Sequence, residues 1–408
     1  MKTLFKVLAL GMFLTVFGSV SAFAQDDSLA TLFERYKVEI KNKCGERSAA
    51  VATAKTILEK YGTDVDNKEV IDFVRKNSEK IAKEDPVCTR NNAYNEAYKA
   101  KDWAKFFSVS KEIINAEGAT SPLALDIMLS LVSVGYERVA VDKVDTYNAD
   151  TINYAKQAIQ RIEAGGTSAT GNWGVFLPFK TKAYPDGKTN ALNSLNYIIG
   201  WTNYTRLGAT DPSKKKEALT YYYKSTQYNG ENKSDLTIYT NIGDYYFNEA
   251  AKLDEEYRKL RADNNNTETD EAKAKIALAR GYADRSIDAF GRARQIATTT
   301  NRKPAADAIT KKLGELYRFR FNIAATAATP DLEKYVSGLL TKPMPDPSTD
   351  VTPVVETAPT TATTTSSTTT PDATKAPATT TPATNTATTT KPATTPAKKP
   401  VAKKKGTR

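Results

Sequence analysis

The chain contains no histidine among its 408 residues, and this absence limits the chemistry it can perform. Ser-His-Asp and Cys-His catalysis both use an imidazole as the base, and the usual zinc sites need histidine or more than two cysteines. An enzyme of this composition would have to rely on carboxylates, lysine or tyrosine. No pair of carboxylates is distinguished as an acid and a nucleophile, so we expect a non-catalytic protein that uses neither a metal nor a cofactor.

Cys44 and Cys88 are the only two cysteines. In an oxidising compartment they are expected to pair, which would close a loop of 45 residues. On the loop-entropy model such a bridge stabilises the fold by about 4 kcal/mol. Two buried free thiols, or one reactive cysteine, are the alternatives. We expect the disulfide.

Tyrosine is abundant, with 21 residues, and is concentrated between residues 197 and 257. On a helix, three consecutive tyrosines fan over about 200°, so at least one of them should reach a groove or solvent. Packing between helices is one interpretation of these residues, and contact with an extended peptide or stacking on a glycan are the others. The predicted partner-binding residues are Tyr221, Tyr222, Tyr223, Tyr245 and Tyr246.

The elements that position these side chains are helices, because apolar residues recur at helical spacing and no segment alternates like a strand. Cap-and-proline pairs at Asp85-Pro86, Ser121-Pro122 and Asp211-Pro212 predict helix starts. One long interruption, Gly165 to Thr189, contains five large apolar residues and is predicted to pack as an ordered loop. The predicted helices are residues 28–42, 47–61, 67–83, 87–100, 103–116, 122–141, 149–164, 190–206, 213–228, 235–262, 270–298, 304–326 and 331–340.

Short connections make sequential helices antiparallel, so the fold class is all-α, with stacked helical hairpins. Within the helices, glycine follows Ile or Leu at Gly200, Gly243 and Gly314. A mid-helix glycine costs about 1 kcal/mol relative to alanine, so it suits a place where a second helix approaches closely. Two following helices flank an aromatic with small residues, as Ala218, Tyr222, Ser225 and as Ser286, Phe290, Ala293.

This pattern resembles the tetratricopeptide (TPR) family, whose repeats pair a Leu-Gly-x2-Tyr helix with an Ala-x3-Phe-x2-Ala helix. The resemblance covers residues 190–326, with weaker echoes at Trp103, Phe107 and Ser110. The glycines are 43 and 71 residues apart, against a repeat of about 34, and the closing proline is missing. A plain α-solenoid or an irregular helical bundle therefore remains an alternative. The resemblance implies a concave surface that binds a peptide.

Residues 1–24 have the features of a secretory signal peptide. Lys2 and Lys6 precede an uncharged apolar run, and Ala22-Phe23-Ala24 provides the small-x-small cleavage pattern. Cleavage after Ala24 would deliver the protein to the periplasm or cell envelope. The alternative is that the run from Leu4 to Val20 remains uncut as a membrane anchor, although it is short for a span of about 20 residues. The helical-repeat domain is predicted over residues 25–345.

Residues 346–408 are predicted to form a disordered tail, because they consist largely of Thr, Ala and Pro and end in a Lys-rich sequence. Of the net charge of +11, two charges belong to residues 1–24 and five to the residues after 340, which leaves +4 on the body. A nucleic-acid partner is therefore not expected. An anionic polymer or a membrane surface is a possible partner of the tail. The predicted contact residues are Lys398, Lys399, Lys403, Lys404, Lys405 and Arg408.

These features predict an exported, non-catalytic scaffold or adaptor. Its helical body would bind a protein partner in the cell envelope, and its Lys-rich end would tether it to anionic envelope material. A carbohydrate-binding or carbohydrate-processing helical protein is the alternative. A third possibility is a surface protein held only by its tail, with an inert body.

Overall fold

A computed structural model describes residues 28–118 and 120–355 of the chain. This part of the protein is all-α and contains no β-strand. The signal peptide and the Lys-rich end predicted from the sequence lie outside the described residues. The helices are α1 Leu29–Glu39, α2 Ser48–Tyr61, α3 Lys68–Ala100, α4 Trp103–Glu117, α5 Pro122–Ala140, α6 Asn148–Glu163, α7 Gly187–Trp201, α8 Pro212–Gln227, α9 Leu236–Asp263, α10 Asp270–Thr299, α11 Lys303–Arg320 and α12 Leu332–Leu340.

Each helix packs against the next one along the chain, as expected for sequential hairpins. Helices α9 and α10, of 28 and 30 residues, form the most extensive pair, while α5 also touches α7 and α10 also touches α12. The apolar side chains form a large central core from α3 to α10, a second core from α10 to α12 with α9 against it, and a small core of α1 to α3. The predicted fold class is thereby confirmed for the described residues.

Two predicted helix bounds are wrong. Helix α11 ends at Arg320, six residues before the predicted end at 326, and residues 67–83 and 87–100 form the single helix α3 with Pro86 inside it. Asp85 is not a cap. Its carboxylate accepts a hydrogen bond from the Arg47 backbone N–H at 2.9 Å and another from the Arg47 Nε at 2.7 Å. The carboxylate is therefore occupied by a partner 38 residues away, and the helix continues through the proline. Ser121 and Asp211, by contrast, cap α5 and α8 as predicted.

The long connection between α6 and α7 is ordered, as predicted, and lies over α5. Its apolar residues Trp173, Val175, Phe176 and Phe179 pack on the central core, whereas Leu177 is 41% exposed. The buried Asp126 of α5 holds this loop, accepting hydrogen bonds from three of its residues, Ser168 Oγ, Thr170 N and Gly174 N, at 2.8 to 3.0 Å. The loop thus covers part of the surface that α5 would otherwise expose.

The segment after α12 also differs from the expectation. Residues 346–355, the first ten of the predicted tail, belong to the described part of the chain and lie against α10. Specific hydrogen bonds to α10 hold them, so the packed region extends through residue 355.

None of the helices in residues 28–118 and 120–355 is both long and apolar enough to cross a membrane.

Candidate functional site

The two cysteines form a disulfide, Cys44 to Cys88, with their Cα atoms 5.7 Å apart. It joins the α1–α2 connection to the middle of α3, next to the contact between Arg47 and Asp85. Burial raises the pKa of Asp85, but hydrogen bonds from the Arg47 and Gly45 backbones and the Arg47 side chain outweigh it, leaving the pKa below its usual range. The predicted pairing is confirmed, and a disulfide of this kind is typical of an oxidising compartment.

One buried carboxylate, Asp288 of α10, is paired with an arginine of the same helix. Asp288 is 3% exposed, and burial raises its pKa although Arg292 binds it with two hydrogen bonds at 2.8 and 3.1 Å. Arg292 stabilises the charged form of Asp288, which is therefore paired with an arginine and not with a second carboxylate. Within residues 28–118 and 120–355, no group of three or more Cys, Asp or Glu side chains could hold a metal ion.

Two of the three motif glycines lie where a neighbouring helix approaches closely. A Cβ added at Gly200 of α7 would stand 2.8 Å from the Tyr222 ring of α8, and one at Gly243 of α9 would stand 3.0 Å from the Phe290 ring of α10. Gly314 of α11 meets only an Arg318 side chain, at 3.6 Å. The two aromatic knobs expected from the sequence, Tyr222 and Phe290, therefore lie against the first two glycines, and no ring lies against Gly314.

The predicted tyrosines divide into buried and half-buried groups. Tyr222 is fully buried and Tyr246 is 4% exposed, so both belong to the core rather than to a contact surface. Tyr221, Tyr223 and Tyr245 are half-buried. The fan over the helix surface is as expected, but burial removes two of the five residues from the candidate partner-binding set.

The structure places Tyr222 in a larger group of rings that we call the aromatic network, formed by Tyr136, Tyr197, Trp201, Tyr204 and Tyr222. Tyr136 of α5 meets Trp201 of α7 edge to face, with ring centroids 5.4 Å apart. Its centroid is 6.0 Å from that of Tyr197, and the Tyr222 centroid lies 6.3 Å from Tyr197 and 6.2 Å from Tyr204. Tyr136, Trp201 and Tyr204 are the half-buried members of the network. They are the accessible rings of the candidate site.

Sequence reasoning missed Tyr136, Trp201 and Tyr204. Tyr204 lies in a π-helical turn, Thr202–Arg206, that continues α7 directly. Within that turn, the buried Oγ1 of Thr202 and Nδ2 of Asn203 have no hydrogen-bond partner among the described residues. Both the wide turn and the unsatisfied polar atoms cost free energy, and π-turns are frequent at functional sites. A sequence gives no direct signal for a π-turn, because it reads as a continuing helix.

Asp235 and Asp244 act on the network, although Asp244 is paired with Lys312 and Lys215 lies over the Tyr204 ring, 5.6 Å from its centroid. Burial raises the pKa of Tyr136, Tyr197 and Tyr222, and the negative charge of Asp235 raises all three further. The pKa of Tyr204 is raised by burial and by Asp244. These phenols therefore stay protonated at neutral pH, so they can donate hydrogen bonds and offer ring faces.

No known family matches. The chain matches no protein-family model, and neither the curated proteins nor the solved structures contain a significant relative. Any proposal for the function therefore depends on the geometry of the site.

Apart from the aromatic network, a depression of about 490 Å³ lies where α4 meets the start of α6. Its wall includes the rings of Phe107 and Tyr147, which are stacked with centroids 4.1 Å apart. Lys111 on α4 is paired with Asp150 on α6 at 2.7 Å across the same depression. Stacked rings beside paired charges provide both an apolar surface and polar groups for a small ligand.

Proposed function

We propose that the protein is an exported, non-catalytic scaffold that binds a protein partner through its helical surface. The observation that carries this proposal is the aromatic network, in which rings from α5, α7, the π-turn and α8 meet and three remain accessible. Tyrosine and tryptophan are the residues that most often dominate binding energy at protein interfaces.

The TPR resemblance supports this proposal at two of its repeats. Gly200 with Tyr222 and Gly243 with Phe290 reproduce the small-residue-to-ring contact that the family's hairpins use. Ser225 and Ser286 donate hydrogen bonds, both at 2.9 Å, to carbonyls of the preceding helix in each pair. The third glycine lacks such a contact, and the repeat spacing is irregular. The proposal therefore concerns a divergent TPR-like array.

The expected leader and the disulfide together favour export to the periplasm or cell envelope. The leader of residues 1–24 would deliver the chain, and an oxidising compartment would allow Cys44 and Cys88 to pair. The Lys-rich end would then hold the protein at anionic envelope material, at about 1 kcal/mol per basic residue near a membrane surface.

Photo-crosslinking in cells tests the scaffold proposal. A photoreactive residue replaces Tyr204, and the attached proteins are identified by mass spectrometry. We expect one dominant protein partner, and we expect Trp201→Ala to reduce its yield at least tenfold. Phe73→Ala removes an exposed ring that lies on α3, away from the network, and serves as the matched control. Equal yields from the two variants, or no partner at Tyr204, would contradict the proposal.

A glycan-binding protein is the second candidate function, and the stacked Phe107 and Tyr147 beside Lys111 and Asp150 favour it. A glycan ligand would raise the melting temperature of the protein when envelope polysaccharide is added. Tyr147→Ala should then abolish the rise, while Trp201→Ala should leave it unchanged. No rise with any polysaccharide would contradict glycan binding, whereas a rise that Trp201→Ala abolishes and Tyr147→Ala does not would place the glycan on the aromatic network and contradict its role as a protein interface.

The tethering role of the tail needs a deletion that leaves the packed chain intact. Because residues 346–355 lie on α10, the deletion should begin at Thr357. We expect this variant to be released from envelope fractions at low salt, whereas the full chain is released only as the ionic strength rises. A variant that keeps its crosslinked partner after release would show that the body is not inert.

A further inference from the structure

Residues 342–355, which we call the strap, run along α10 in the direction opposite to the helix. Two arginines of α10 hold the strap by its backbone. Arg292 donates to the Lys342 carbonyl at 2.7 Å, and Arg285 donates to the carbonyls of Asp346 and Asp350 at 3.0 and 2.7 Å. At the far end, the Val354 N–H donates to the Ala277 carbonyl at 2.8 Å. The strap is thus bound chiefly through its main chain.

Gly281 shapes the surface under the strap. A Cβ at this position would meet the Thr352 carbonyl oxygen at 2.2 Å and a Val351 methyl at 3.0 Å. Backbone cannot yield to such a contact, so the strap seats only because residue 281 has no side chain. Met344 and Val351 pack against the central core. The surface around Gly281 and Arg285 therefore has the form of a groove for an extended chain, and we call it the α10 groove.

The strap is held in a way that permits its release. None of its residues is fully buried, and nine of its fourteen are exposed, so little apolar surface is gained when it binds. Arginine-to-carbonyl hydrogen bonds at an exposed site contribute modestly, because water competes for the same groups. Segments with few buried contacts open at a small fraction of the global unfolding free energy.

The contacts also define what the α10 groove can accept. They involve backbone carbonyls, one backbone N–H and the Thr349 hydroxyl, which Arg285 reaches at 2.9 Å. Recognition of backbone tolerates many sequences, provided that the chain is extended and small at the position over Gly281. Prolines at 343, 345, 347 and 353 favour that extended form before binding, which lowers the entropy cost.

We propose that the α10 groove binds an extended, proline-containing segment of a partner protein, and that the strap is its built-in competitor. This proposal rests on the scaffold function and adds a second, gated surface to it. A tethered strap acts at an effective concentration in the millimolar range. A partner segment of equal intrinsic affinity therefore binds only when the strap is displaced.

A labelled peptide with the sequence of residues 342–355 tests the proposal against the full-length protein. Fluorescence anisotropy should show little binding to the wild-type chain at micromolar concentration. Val351→Asp and Val354→Pro each weaken the strap without altering the groove, and each should raise the peptide affinity at least tenfold. Adding Gly281→Ala to either variant should remove that gain.

Gly338→Ala is the matched control, because a Cβ at Gly338 meets nothing within 4 Å. Added to either strap variant, it should leave peptide binding unchanged. Hydrogen exchange at Val354 gives an independent measurement, since Gly281→Ala alone should expose that amide and Gly338→Ala should not. If neither strap variant gains peptide affinity, or if Gly281→Ala has no effect on it, the proposal is wrong.

The outcomes also separate this proposal from the scaffold function. Peptide binding that depends on Gly281, with no crosslinked partner at Tyr204, would retain the groove and overturn the aromatic network as an interface. A crosslinked partner at Tyr204 without peptide binding would retain the aromatic network as an interface and overturn the α10 groove as a binding site.

Discussion

Replacing Gly314 by alanine should raise the stability of the protein, whereas replacing Gly200 or Gly243 should lower it, although the sequence around the three motif glycines looks the same. Each glycine follows Ile or Leu in a helix interior, where alanine is more favourable than glycine by about 1 kcal/mol. The structure adds a steric term that differs between the sites. Gly314→Ala meets only the end of a flexible arginine at 3.6 Å, so we expect it to stabilise α11 by about 1 kcal/mol.

Gly200→Ala should destabilise instead. Its Cβ would stand 2.8 Å from one atom of the Tyr222 ring and 3.1 Å from two more, well inside the optimal carbon separation of about 3.5 to 4.0 Å. The ring is fully buried, and its hydroxyl accepts a hydrogen bond from Asn241 at 2.8 Å, so it cannot move away. Overpacking of this kind costs about 1–3 kcal/mol. At the upper end of this range, and after the helix gain of about 1 kcal/mol, Gly200→Ala lowers the free energy of unfolding by about 2 kcal/mol.

Gly243→Ala is the intermediate case, because three atoms of the Phe290 ring lie 3.0 Å from the added Cβ. A cost near the middle of the overpacking range, about 2 kcal/mol, leaves a net loss of about 1 kcal/mol after the helix gain. The expected order of stability is therefore Gly314→Ala, wild type, Gly243→Ala, Gly200→Ala. The extremes differ by about 3 kcal/mol, which exceeds a hundredfold in an opening equilibrium.

Native-state hydrogen exchange is the suitable assay, because a chain with several cores need not unfold in one step. The slow amides of α7, α9 and α11 report the opening free energy of each host helix. Tyr222→Leu provides the control, since removing the ring should cancel most of the cost of Gly200→Ala in the double variant. Equal destabilisation by Gly200→Ala and Gly314→Ala would refute the close-approach reasoning.

Three further predictions follow from other parts of the fold. Cys44→Ser with Cys88→Ser should lower the stability of the small α1–α3 core by about 4 kcal/mol, so limited proteolysis should cut α1 and α2 first while α5 to α10 remain protected. Asp126→Ala leaves three loop donors without their acceptor, and we expect proteolysis within residues 168–176 to accelerate more than tenfold. Burial raises the pKa of Tyr245 to about 12, above an unfolded value of about 10; its stabilising contribution is therefore complete below pH 10 and lost as the pH rises towards 12. Tyrosinate absorbance measures this titration, because subtracting the curve of Tyr245→Phe from that of the wild type leaves the contribution of Tyr245. We expect its midpoint to be shifted upward, and an unshifted midpoint would contradict the prediction.

The sequence was sufficient for the fold class because helical periodicity is a local property. Most predicted helix bounds lie within a few residues of those observed. The exception at Pro86 has a tertiary cause. An Asp-Pro pair has the same appearance whether the aspartate caps a new helix or binds an arginine from another segment, and here Arg47 decides the outcome.

The site was less predictable, because it depends on which neighbour each ring meets. The three consecutive tyrosines gave the correct fan but not the identity of the buried member, Tyr222, whose position depends on Gly200 in another helix. Trp201 and Tyr204 gave no signal, since the π-turn that displays them reads as ordinary helix. The strap was missed because, like the residues that follow it, it is rich in proline and has no aromatic residue, and its binding depends on Gly281, Arg285 and Arg292 of another segment.

Polar side chains buried in the centre of the molecule explain why accessible rings and grooves are the stronger candidates for function. Asp126, Asn190 and Asn193 lie on α5 and α7 with 1% exposure or less, and buried polar side chains need hydrogen-bond partners. Here each one binds a connecting segment. Asn190 joins the Phe179 carbonyl to the Glu231 N–H at 2.7 and 2.9 Å, and Asn193 accepts from the Asn232 N–H at 2.8 Å. Their hydrogen-bonding capacity is used to hold loops on the two central helices. We therefore expect a partner to meet the aromatic network, or the α10 groove once the strap is displaced.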